Sequence, residues 1–157
     1  MNETFVRQNE AMGIVRANAG WSAAAGLAPF PLLDLAAITA VQLRMVKQLA
    51  DLYGVPFKKD LAKTLIATAI GSSASVMIAA PLASLVKVVP FVGTFIGTFA
   101  TPAAGAATTF ALGKVFIQHF EAGGTLLDLD PEALRQHFYD EYRRREAESR
   151  QDAQAAA

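Results

Sequence analysis

Charge almost disappears from the middle of the chain. Thr64 to Val86 is 23 residues without a charge, Lys87 interrupts, and Val88 to Gly113 is again uncharged. As a helix the first part would span about 35 Å, enough to cross a hydrocarbon core. Its content is less emphatic than its length. Eight residues are Leu, Ile or Val, but four serines, two threonines, Gly71 and Pro81 offset them, which makes insertion marginal on an insertion scale. The second part has four phenylalanines against four glycines, five threonines and Pro102. Prolines of this kind kink or split a helix. Small residues recur every four positions in both parts: Ala67, Gly71, Ser75, Ala79 and Ala83, then Gly93, Gly97, Thr101, Gly105, Thr109 and Gly113. Residues four apart share a helix face, so each part presents a smooth ridge along which another backbone can approach. The pattern predicts an antiparallel helical hairpin, with arms at 64–86 and 91–120 and a turn near 87–90. The ridges would serve the hairpin itself or an oligomer.

The flanking stretches are ordinary by comparison. Residues 2–27 read as a helix whose large apolar members are Phe5, Met12, Val15 and Trp21. Pro29 and Pro31 stop it. A second helix is expected at about 33–53, with Leu35, Ile38, Gln42, Met45, Leu49 and Leu52 on one face. Gln42 interrupts that face and reads as an interhelical hydrogen-bonding group. Arg44, Lys47 and Asp51 mark the wetter side, and Asp34 falls in the first turn, where free amides stabilise a carboxylate. Gly54 and Pro56 end the helix. After Gly123 and Gly124, Asp130-Pro131-Glu132 is a helix start. That last helix runs to about 150, with Leu134, Phe138 and Tyr142 as a narrow stripe. Asp140/Arg144, Glu141/Arg145 and Glu146/Arg150 are its i,i+4 pairs.

Composition bounds the chemistry. A hydrophobic fraction of 53% with 18% charged residues is apolar for 157 residues, and the length suits one domain. Net charge is zero, which gives no global footprint for nucleic acid. Locally, Arg44 to Lys63 holds five cations and two anions. There is no cysteine, so disulfides and thiolate chemistry are excluded. The first residues do not read as a signal peptide. Lys58, Lys59, Lys63 and Lys114 flank the open end of the expected hairpin and Lys87 its turn. The positive-inside tendency then puts both termini in the cytoplasm. Gly113-Lys114 is followed by Val115 and preceded at the required distance by Thr108, so the phosphate-binding loop pattern fails. His119 and His137 have no metal-ligand spacing to each other. No catalytic, cofactor or metal residues are assigned.

The runs PFPLLD at 29–34, QLRM at 42–45 and LYGV at 52–55, with KVVPFVG at 87–93 and TFALG at 109–113, resemble the signature of a bacterial domain of unknown function, the YcjF-like family. The resemblance covers about residues 15–122. It implies an inner-membrane module, often fused to or encoded beside an Era-type or dynamin-like small GTPase. With no nucleotide-binding loop in these residues, it implies a GTPase acting from another chain.

The expectation is therefore an all-α, membrane-associated protein of about five helices around the apolar hairpin. Residues 1–122 would form one helical domain, and 123–157 a linker and charged helix. Its expected role is non-enzymatic anchoring or scaffolding with self-association. A small pore and a soluble helical oligomer are the competing readings, with the threonines of 94–109 as pore candidates. Gly71, Gly93, Gly97, Gly105 and Gly113 are expected to pack helices, and Asp34, Gln42 and Arg44 to contact a partner. Expected partners are membrane lipid, a further copy of the chain and a GTPase, without nucleic acid or cofactor.

Overall fold

The computed structural model describes residues 3–25, 27, 31–70 and 102–156, the side chains of 31–35 and 102–104 excepted. Among these residues the protein is all-α, with five helices and no strand. They are α1 (Glu3–Ala25), α2 (Pro31–Tyr53), α3 (59–70), α4 (Pro102–Glu121) and α5 (Pro131–Ala155). The expected turn at 87–90, and Gly71, Gly93 and Gly97, lie outside the described residues.

The helix ends follow local chemistry. Gly54 has φ +67°, its N–H donates to Asp51 O, and the N–H of Val55 donates to Ala50 O at 2.8 Å. These two bonds form a Schellman cap, which satisfies orphan carbonyls and asks for a left-handed residue at that position. The motif recurs at Gly123 (φ +84°), where Gly124 N–H reaches His119 O. At the start of α5 the Asp130 carboxylate accepts from Glu132 N–H, with proline at the first helical turn.

α4 is the centre of the bundle, in contact with α1, α2 and α5 and most extensively with α1. An added Cβ at Gly113 would lie 2.5 Å from Val15 Cγ2, and one at Gly105 3.2 Å from Ser22 O. The increasing number on α4 meets a decreasing number on α1, so these helices are antiparallel. Ile38 approaches Gly105, Met45 approaches Gly113 and Gln42 reaches Thr109, so α2 runs parallel to α4. Lys59 and Lys63 of α3 line one groove with Ala36, Thr39, Ala40 and Leu43 of α2. α3 therefore borders α2 along that groove.

Three buried faces define the packing. In α1 the buried residues are Ala11, Val15, Asn18, Ala19 and Ser22, whereas Phe5 and Trp21 are 56% and 61% exposed. Close approach to α4 selects a small face, and large aromatic rings would hold the helices apart. In α3 the buried positions are Ala62, Leu65, Ile66 and Ala69, with Ala67 exposed. The ridge beginning at Ala67 thus faces away from the core over the described turns. The helix also starts at 59, ahead of the uncharged run. In α4 the described part of the ridge meets α1; most of the other expected hairpin arm lies outside the described residues.

Pro102 stands at the first described residue of α4, where proline loses no helical hydrogen bond. Leu126, Leu129, Leu134 and Phe138 belong to the same hydrophobic cluster as Met45, Leu49, Leu65, Leu112 and Phe116. The C-terminal helix is thus docked on the common core. Among the described residues no helix is long and apolar enough to cross a membrane.

Two glycines test the close approach. Gly113→Ala gains helix propensity, about 1 kcal/mol, but its Cβ would overlap the Val15 methyls. Overpacking costs about 1–3 kcal/mol, so urea unfolding should show net destabilisation. Gly13 on the outer side of α1 has nothing within 4 Å of an added Cβ, and Gly13→Ala should stabilise by about 0.5–1 kcal/mol.

Candidate functional site

The residues with unspent chemistry gather in a polar seam between α1, α2 and α4. Ser22 and Thr109 are fully buried, and their hydroxyl oxygens lie 2.7 Å apart. Gln42, 1% exposed, donates its amide to Thr109 Oγ1 at 3.4 Å. One turn along α1, Asn18 donates to Ile14 O and to Gln48 Oε1, both at 2.8 Å. Its Oδ1 is buried without a hydrogen-bond partner among the described residues. Gly105 and Gly113 bracket Thr109 by four residues and bring α1 close enough for the Ser22 hydroxyl to reach it. Unmade hydrogen bonds inside a bundle cost more than made ones contribute, so the seam fixes the register of three helices.

Two charged clusters close the ends of the packing. Glu141 of α5 is buried, and its carboxylate takes Lys114 at 3.1 Å, Arg144 at 3.2 Å and Gln118 at 3.3 Å. A buried carboxylate needs this set of partners to offset desolvation. Arg144 therefore pairs at i,i+3 with Glu141, and Arg145 turns to Glu148 and to the face of Phe110. The expected Glu146/Arg150 pair is present at 2.7 Å. Lys114 is committed to Glu141, so it is not a free flanking cation for an orientation argument.

At the other cluster, Tyr53 O–H donates to Glu121 Oε1 at 3.0 Å, Gln8 donates to Glu121 Oε2 at 2.8 Å, and the Arg7 guanidinium lies over the Tyr53 ring. Burial, then the hydrogen bond and charge of Glu121, push the Tyr53 phenol up to about 12, against a lowering by Arg7.

The partner-contact candidates are not brought together. Gln42 points into the bundle and is spent on the seam. Arg44 is exposed on the outside of α2, and Asp34 is the fourth residue of that helix. His119 is tied to the loop after α4, with Nε2 2.8 Å from Thr125 O, and among the described residues no three His, Asp or Glu side chains are placed to hold a metal ion. Sequence reasoning missed Ser22, Asn18 and Glu141. The signal for the first two was present: polar residues at i and i+4 on a helix whose other periodic positions are alanine and valine.

A family described as a domain of unknown function, DUF697, matches residues 4–144. This chain belongs to that family. The match reaches into α5 and is wider than the 15–122 of the sequence resemblance, and it does not carry the YcjF-like name. Magnetosome membrane protein 22 of Magnetospirillum gryphiswaldense is 37% identical over 128 residues, which cover 79% of this chain and 64% of that protein. The chain thus spans somewhat less than two thirds of that relative. No solved structure matches.

Thr109→Val keeps the volume and removes the hydroxyl shared by Ser22 and Gln42. It should cost about 1–3 kcal/mol. The double variant with Ser22→Ala should cost less than the sum of the two singles, because the removed groups serve one network. The Tyr53 phenol is raised in the folded state, so its contribution to stability is complete below the ordinary value of 10.0 and is lost as pH rises toward about 12. Absorbance titration should find a tyrosine ionising near 12, and Glu121→Gln should move it down.

Proposed function

We propose that this chain is a non-enzymatic, membrane-associated helical module that anchors or scaffolds a partner. The observation that carries the reading is its 37% identity over 128 residues to a magnetosome membrane protein, in a chain whose positions 64–113 contain Lys87 as their one charge. The seam fits a structural role, since the Ser22 and Thr109 hydroxyls and the Gln42 amide bond to one another inside the bundle.

The finer parts of the reading are self-association, a small GTPase acting in trans, and an inner-membrane location with cytoplasmic termini. With Lys114 paired to Glu141, the orientation rests on Lys58, Lys59 and Lys63 against Lys87. Of the pore reading's candidate threonines, Thr109 is hydrogen-bonded inside the bundle, and Thr94, Thr98 and Thr101 lie outside the described residues.

Carbonate extraction of a membrane fraction should leave the protein in the pellet, and full release into the supernatant would remove the inserted form of the proposal. Immobilised protein should retain a small GTPase more strongly in one nucleotide state. Equal capture with GTP and GDP, or none, would remove the GTPase component and leave anchoring intact.

A further inference from the structure

The local excess of cations between Arg44 and Lys63 acquires a shape in the fold. Residues of α2 and of α3, joined by the turn after Gly54, line an open groove of about 600 Å³. Methyl and aliphatic groups of Ala36, Thr39, Ala40 and Leu43 make its floor, and Lys59 and Lys63 stand on its α3 side. Arg44 projects from α2 next to Leu43 and within one turn of Ala40, on the exposed side. Lys58 precedes α3 and is exposed as well. Of the five cations in this stretch, Lys47 is taken by Asp51 at 2.5 Å. None of Arg44, Lys58, Lys59 and Lys63 forms an ion pair among the described residues. Asp60 is the other acid of the 44–63 stretch. An apolar floor rimmed by unpaired cations complements a ligand with an anionic head and a hydrocarbon body.

We propose that the α2–α3 groove is a docking site for anionic phospholipid. Lys59 and Lys63 lay their aliphatic stems along the alanine floor and hold the headgroup phosphate with their ammonium groups, the usual amphipathic use of lysine. Arg44 and Lys58 extend the positive rim. Clusters of basic residues on an otherwise apolar surface bind acidic membranes at roughly 1 kcal/mol per cation, screened by salt. The opposite charge pattern on α5 distinguishes the two surfaces: there Arg144, Arg145 and Arg150 are each paired with a glutamate. The proposal rests on the membrane-association reading and adds to it a lipid class and a contact surface.

Flotation of the full chain with two vesicle preparations tests it. One is phosphatidylcholine alone, the other an equal mixture of phosphatidylcholine and phosphatidylglycerol. The wild-type protein should prefer the acidic vesicles, and added salt should weaken that preference. Lys59→Gln with Lys63→Gln should weaken binding to acidic vesicles about 25-fold, from about five-fold per cation. Arg16→Gln with Arg143→Gln removes the same charge from exposed positions on α1 and α5 and should leave binding unchanged. All four side chains are exposed, so circular dichroism should find both doubles folded. Ala40→Asp, a carboxylate on the floor, provides an independent variant with the same expected loss. Equal losses in the two double variants would overturn the groove as the site. Equal wild-type binding to both vesicles would overturn it while leaving membrane association standing. Absence of binding to either would overturn both.

Discussion

The close approach of α1 to α4 governs the rest of this bundle. Gly113 leaves no room for a Cβ beside Val15, and at that separation Ser22 and Thr109 come within hydrogen-bonding distance. Side-chain volume on either helix would separate them and strand two buried hydroxyls and the Gln42 amide. The packing and the polar seam are therefore one constraint. This explains why α1 buries alanines, a valine, an asparagine and a serine while its aromatic residues face outward. A helix docked through small and polar groups depends on its register, because a shift by one position would misplace every hydrogen bond in the seam.

Charge is distributed with a similar economy. At the core margin Glu141 pairs with Lys114 and Arg144, and Glu121 accepts hydrogen bonds from Tyr53 and Gln8. Arg44, Lys58, Lys59 and Lys63, which form no ion pair among the described residues, fall together on α2, α3 and the turn between them. That asymmetry is a property of the surface and contributes little to folding, since isolated exposed charges stabilise weakly. Beside it stand membership of the DUF697 family and similarity to a magnetosome membrane protein.

Much of this architecture was legible in the sequence. The two glycine caps, the Asp130-Pro131 start, the amphipathic face of α2 and the stripe of α5 follow from local rules, and each formed where those rules put it. Local rules suffice there because the backbone hydrogen bonds and rotamers that decide a cap lie within a few residues. The four-residue series through Gly105, Thr109 and Gly113 likewise marked a face suited to close contact, although periodicity could not name its partner.

Determined by sequence alone were the helical class, the stop at Gly54, the start at Asp130-Pro131, the absence of cysteine chemistry and the clustering of cations between Arg44 and Lys63. Tertiary structure decided what faces what. It gave Lys114 to Glu141, paired Gln42 with Thr109, and set the small residues of α4 against α1. Those outcomes depend on contacts between residues up to 113 positions apart, as in the Gln8–Glu121 bond. Hydrophobic periodicity records that a face is buried; the identity of the surface that buries it is set by volume and hydrogen-bond complementarity between distant segments.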